Sequence, residues 1–100
     1  MIINFINTKG VLENSFKKDS FRYLELAYTS GDTGSIIVHF AAEGDIVDMD
    51  RMVLVVNKDF LHIVSNSIKK LISSPGDSVV ETGLKRGVFR QITSMTYSAG

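Results

Sequence analysis

Polar and apolar residues alternate along most of this chain, and one stretch departs clearly from that period. Between residues 58 and 73 (KDFLHIVSNSIKKLIS), Phe60, Leu61, Ile63, Val64, Ile68, Leu71 and Ile72 fall on one side of a wheel of about 3.6 residues per turn. His62, Ser65, Asn66, Lys69, Lys70 and Ser73 fall on the other. The pattern predicts an amphipathic helix. Asn57 or Asp59 can cap its first N–H groups, Lys69 and Lys70 suit the negative end of its dipole, and Ser74-Pro75-Gly76-Asp77 stops it.

The remaining segments read as strands. Residues 1–6 supply Ile2, Ile3, Phe5 and Ile6 to a core, and Gly10 breaks the run. Residues 11–19 (VLENSFKKD) commit to neither period; Leu12 and Phe16, with Val11 beside them, could share one face of a short helix. From Phe21 to Thr29, Leu24, Leu26 and Tyr28 alternate against Phe21, Tyr23, Glu25 and Ala27. SGDTG (30–34) then reverses the chain into SIIVHFAA (35–42), which makes the best hairpin in the sequence.

After an acidic connection (43–50), RMVLVV (51–56) is nearly all apolar, as in a central strand buried on both faces or one covered by a partner subunit. A second hairpin is expected from 78–82 and 88–97, joined by GLKRG with Gly87 taking a positive φ. In its second strand Phe89, Gln91, Thr93, Met95 and Tyr97 alternate against Val88, Arg90, Ile92, Ser94 and Thr96. The sum is a single α+β domain over residues 1–100. It has an antiparallel sheet of five or six strands, strongly curled or barrel-like, with one main amphipathic helix (58–73) on one face.

Composition narrows this picture modestly. One hundred residues, 44% apolar, can bury one core without covalent staples. With no cysteine, disulfides, thiolate zinc sites and cysteine nucleophiles are excluded. MIINFINTKG has no positively charged leader, and no run approaches the roughly 20 apolar residues that span a bilayer. The expectation is a cytoplasmic protein without a membrane partner.

Eleven basic and eleven acidic residues cancel, so no global field drives the chain onto nucleic acid or anionic lipid. The acids gather at Glu43, Asp45, Asp48 and Asp50; the bases at Lys17, Lys18 and Arg22, at Lys69 and Lys70, and at Lys85, Arg86 and Arg90. EGDIVDMD fails the calcium-loop template because its glycine and closing glutamate are misplaced, and it reads as a solvated connection. The two histidines, His39 mid-strand and His62 on the polar side of the helix, have no ligand-type spacing and no nucleophile motif beside them. SGDTGS and TGLKRG match neither GxxxxGK[ST] nor GxGxxG, and hairpin chemistry accounts for both. No metal and no cofactor are expected.

Two surfaces remain. Lys85, Arg86 and Arg90 beside Phe89 combine cations with an aromatic ring, the ingredients of single-stranded nucleic-acid binding. Phe21, Tyr23, Met52, Met95 and Tyr97 lie on strand faces opposite the more obvious core positions, and one helix covers only one side of a sheet. The leading expectation is therefore a small non-enzymatic module acting through protein–protein association, as a homo-oligomer or assembly component. A nucleic-acid-binding accessory protein using the basic hairpin at 85–90 is the alternative. A small enzyme with an inter-subunit site near His39 or His62 is the third reading.

Overall fold

The computed structural model describes residues 1–28, 31–42, 49–82 and 87–99. In chain order they form β1 (Ile2–Ile6), β2 (Leu12–Lys17), β3 (Phe21–Tyr28), β4 (Thr33–Ala41), β5 (Met49–Asn57), α1 (Leu61–Ser73), β6 (Ser78–Glu81) and β7 (Ile92–Ser98). Single 3₁₀ turns occupy Lys18–Ser20, Lys58–Phe60 and Val88–Gln91. The α+β class stands, but the single sheet does not. Among the described residues seven strands divide into a four-stranded sheet, β3-β4-β5-β7, and a three-stranded sheet, β2-β1-β6, and neither closes into a barrel.

The expected first hairpin is present: β3 and β4 pair antiparallel, with Leu24 opposite Val38 and Leu26 opposite Ile36. Its turn residues Thr29 and Ser30 lie outside the described residues. β5 continues the meander, but it is buried on one face only. Met52, Leu54 and Val56 are fully buried, Val53 and Val55 half-buried and Arg51 exposed, so the period of two survives beneath the uniform hydrophobicity. The ambiguous segment 11–19 contains a strand, β2, paired antiparallel with β1. Asn7 closes that hairpin: its side-chain oxygen accepts from the N–H groups of Lys9 (2.9 Å) and Val11 (3.1 Å), and Gly10 takes φ +76°.

The second hairpin is not formed. β6 pairs in parallel with β1, matching Asn4 to Val79 and Phe5 to Val80, while β7 pairs with β5 in the other sheet. Val88–Gln91, expected to be strand, is a 3₁₀ turn, and Gly87 enters it at φ +97°. A parallel partner 75 positions away leaves no local turn signature, which is why a hairpin reading was the natural one.

Two layers enclose one core. The even-numbered residues of β4 and β5 (Ile36, Val38, Phe40, Met52, Leu54 and Val56) point inward. Leu61, Val64 and Ile68 of α1 and Ile3, Phe5, Phe16 and Val80 of the small sheet meet them. The helix and the small sheet thus share one face of the large sheet. Asn57 caps the helical entry by accepting from the Asp59 N–H at 3.0 Å. Helix and sheet approach most closely at Gly34, where a methyl group would sit 2.5 Å from Leu61 Cδ1 and 3.1 Å from the Ala27 carbonyl oxygen.

The far end of α1 is finished by a lysine from another element. Lys18, buried, donates from Nζ to the Ser74 carbonyl (3.0 Å) and to Ser78 Oγ (2.7 Å). Ser74 Oγ in turn donates to the Leu71 carbonyl (2.7 Å). A cation on the helix's negative end is favourable, and its hydrogen bonds offset the cost of burying it.

Two changes should measure these joints. Gly34→Ala should lower unfolding free energy by about 1–3 kcal/mol through overpacking against Leu61, read by urea denaturation. Lys18→Met keeps the aliphatic stem but removes the donor, and should cost about 1–3 kcal/mol by the same measurement.

Candidate functional site

The large sheet's second face is built by Tyr23, Glu25 and Ala27 of β3, Ser35, Ile37 and His39 of β4, Arg51, Val53 and Val55 of β5, and Ser94, Thr96 and Ser98 of β7. Strand register arranges them in three rows: Tyr23–His39–Arg51–Ser98, Glu25–Ile37–Val53–Thr96, and Ala27–Ser35–Val55–Ser94. The helix and small sheet pack on the opposite face, and no described element lies over this one. Its centre is apolar, with Ile37, Val53 and Val55 half-buried only by their neighbours in the sheet. Charge stands at two flanks, Glu25 on the edge strand and exposed Arg51 on β5.

His39 is the most buried residue of this open face, only 6% exposed, with Ser35 next to it in burial at 9%. Tyr23, itself 46% exposed, stacks on the imidazole with ring centroids 4.1 Å apart and planes 19° apart. His39 Nε2 lies 3.0 Å from Glu25 Oε1, and because a carboxylate only accepts, Nε2 carries the proton. The arrangement holds Tyr23 flat on the sheet as a rigid aromatic surface. Neighbouring strands supply all three groups.

A second concavity opens where the two sheets diverge. This cleft, of about 330 Å³, is lined by Ile2, Ser15, Phe16, Lys17 and Ser20 on one side and by Ala41, Ala42 and Asp50 on the other. Its polar groups are organised. Ser15 Oγ donates to Asn4 Oδ1, Ser20 Oγ donates to the Lys17 carbonyl at 2.7 Å, and the Tyr97 hydroxyl is hydrogen-bonded to Asp50 and to Asn14. Partial burial, and after it the negative charge of Asp50, push the Tyr97 phenol above its ordinary value of 10.0.

The residues singled out from sequence are scattered. Met52 and Met95, expected opposite the core, lie within it. Met52 belongs to the inward set of β5, and a register shift beside Val55 and Val56 turns both Ile92 and Met95 inward. Phe21 is half-buried edge-on to Phe40, and Tyr97 sits on the core side with its ring 6.0 Å from Phe16. Of that group only Tyr23 reaches the uncovered face. Phe89 is half-buried against the core, so it is not a ring presented beside cations; Arg90 is exposed. Lys85 and Arg86 lie outside the described residues, as do Glu43, Asp45 and Asp48. His62 is exposed on the helix, across the large sheet from His39.

Sequence reasoning missed Glu25, Arg51, Ile37, Val53 and Val55 as one surface, although the alternation through β3 and β4 already put most of them in phase. It also missed the cleft, whose walls come from segments far apart in the chain. No described group of three or more His, Asp or Glu side chains is placed to hold a metal ion, and no described helix is long and apolar enough to cross a membrane.

The Tyr97 environment has a signed consequence. A phenol with a raised folded-state pKa binds its proton more tightly when folded, so stability falls as pH rises above about 10. Tyr97→Phe should therefore show a shallower alkaline loss of stability than the parent chain, measured by urea midpoints from pH 8 to about 11.

No family model, curated protein or solved structure matches this chain.

Proposed function

We propose that this protein is a small binding module that works by pairing with a second copy of itself through the outer face of its four-stranded sheet. One observation carries the reading: a face with Tyr23, Ile37, Val53 and Val55 at its surface has no described element over it, while the opposite face carries the helix and the small sheet. Apolar sheet surface of this kind gains free energy when water is removed from it.

The occupant is a second copy because the charges suit self-pairing. A two-fold axis lying along β4 exchanges the positions of β3 and β5. It brings Arg51 of one copy over Tyr23 and Glu25 of the other, and the reverse. Both flanks are then satisfied, and Ile37 lies near the axis. The strands, seven to nine residues long, define a face of roughly 20 by 26 Å. An axis along β4 overlays β3, β4 and β5 and leaves β7 outside the overlap, so pairing buries about 800 Å² in total, the size of weak and transient contacts, which fits a reversible dimer with a dissociation constant of about 100 μM or weaker.

Sedimentation equilibrium across protein concentration tests this. The parent chain should show a reversible monomer–dimer equilibrium, Val53→Glu should be monomeric with unchanged circular dichroism, and Arg51→Glu should weaken pairing by about tenfold. Ile63→Glu, on the exposed side of α1, should leave the equilibrium unchanged. A parent chain that stays monomeric at about 1 mM, or a dimer broken by Ile63→Glu and not by Val53→Glu, overturns the proposal.

A further inference from the structure

The pairing face holds a histidine, the side chain type that changes its charge between about pH 5 and pH 8. His39 stands on β4, the strand along which the two copies face each other, and it is charged groups that surround it. On β3, Tyr23 stacks on the imidazole and Glu25 Oε1 accepts from Nε2 at 3.0 Å. Arg22, in the irregular step before Tyr23, directs its guanidinium to the carbonyls of Asp19 and Phe21. On β5, Arg51 is the directly opposed neighbour of His39 in the strand register. No described element lies over the imidazole from outside the sheet.

A second proton enters at Nδ1, because Nε2 already carries one. In a single copy the added charge has a carboxylate beside it, and half of the Glu25 side chain stays open to water. Pairing changes that balance. Arg51 of the second copy comes over Tyr23 and Glu25, so one carboxylate faces two cations and the Tyr23 ring lies between them. With His39 neutral, each copy brings one Glu25 and one Arg51, and the charges cancel. With His39 protonated, each copy adds a positive charge that nothing compensates, and the two imidazoles oppose each other across the axis. Like charges within a Debye length, about 10 Å at 0.1 M salt, repel, and excluding water strengthens the repulsion.

We infer that His39 is an acid-sensitive switch for self-association, its protonation separating the two copies. The inference rests on the pairing proposed above, and Glu25, Tyr23 and Arg51 set its sign. Linkage adds a reciprocal consequence: if protons weaken pairing, the dimer must take up protons as it comes apart.

Sedimentation equilibrium of the full chain at about pH 8 and about pH 5.5 tests the switch. The dissociation constant should rise at least about fivefold in acid. His39→Gln keeps a donor for Glu25 and cannot be charged, so it should pair equally at both values. His62→Gln, on the exposed side of α1, should behave as the parent does. A second readout needs no variant: calorimetric dilution near about pH 6.5, in buffers of different ionisation heat, should show proton uptake on dissociation. A parent chain that stays monomeric at about pH 8 and about 1 mM overturns the pairing and this inference with it. A dimer that is unchanged or tighter in acid, a His39→Gln chain as acid-sensitive as the parent, or dilution without proton uptake overturns the switch and leaves the pairing standing.

Discussion

Phe40 is where the two layers of this protein meet, and the position of everything else follows from that contact. Its ring stacks on Phe16 at 4.1 Å with planes 5° apart, and Phe5 and Phe21 meet it edge-on at 6.4 and 6.0 Å. Each such pair is worth about 0.5–1.5 kcal/mol beyond the area it buries, and the four rings come from β1, β2, β3 and β4. The cluster forces β2 to cross the large sheet: Asn14 reaches Tyr97 on β7, Phe16 covers Phe40 on β4, and the chain then turns into β3. Crossing strands diverge beyond their point of contact. The cleft beside Phe16 is that divergence.

The polar groups at the seams reinforce the arrangement. No described buried side-chain nitrogen or oxygen lacks a hydrogen-bond partner, so the joints between layers are satisfied and not merely tolerated. Lys18 is the clearest case. It follows β2 directly and ends on the turn after α1, tying the small sheet to the helix it lies beside. With helix and small sheet side by side on one face, the chain has no described element left for the other. The pairing surface and the cleft are two consequences of one packing choice.

Much of the secondary structure was legible. The helix is the clearest example, because Leu61, Val64 and Ile68 recur at helical spacing and do face the core. Ile63 and Phe60, on the same apolar side of the wheel, are exposed because the buried stripe is narrower than the apolar one. The β3–β4 hairpin was legible for the same reason, with Leu24 and Leu26 facing inward opposite Val38 and Ile36. The second hairpin failed because nothing local marks the parallel pairing of β1 with β6, and Met95 was misplaced because one register shift reverses its face. Of the site, Tyr23 was found by alternation, while Asp50 was seen only as part of an acidic loop.

Taken alone, the sequence determined the helix, the β3–β4 hairpin and the strands β1 and β5, because these follow periods of two and about 3.6 residues; it left residues 11–19 open and read Val88–Gln91 as strand. It also settled that no cysteine chemistry operates here. Tertiary structure decided how the strands divide between two sheets, which face of the large sheet is covered, and where the cleft opens. Those outcomes depend on contacts between residues tens of positions apart, such as Phe16 on Phe40 and Lys18 on Ser78. No local period records such contacts; only the closing of the core selects them.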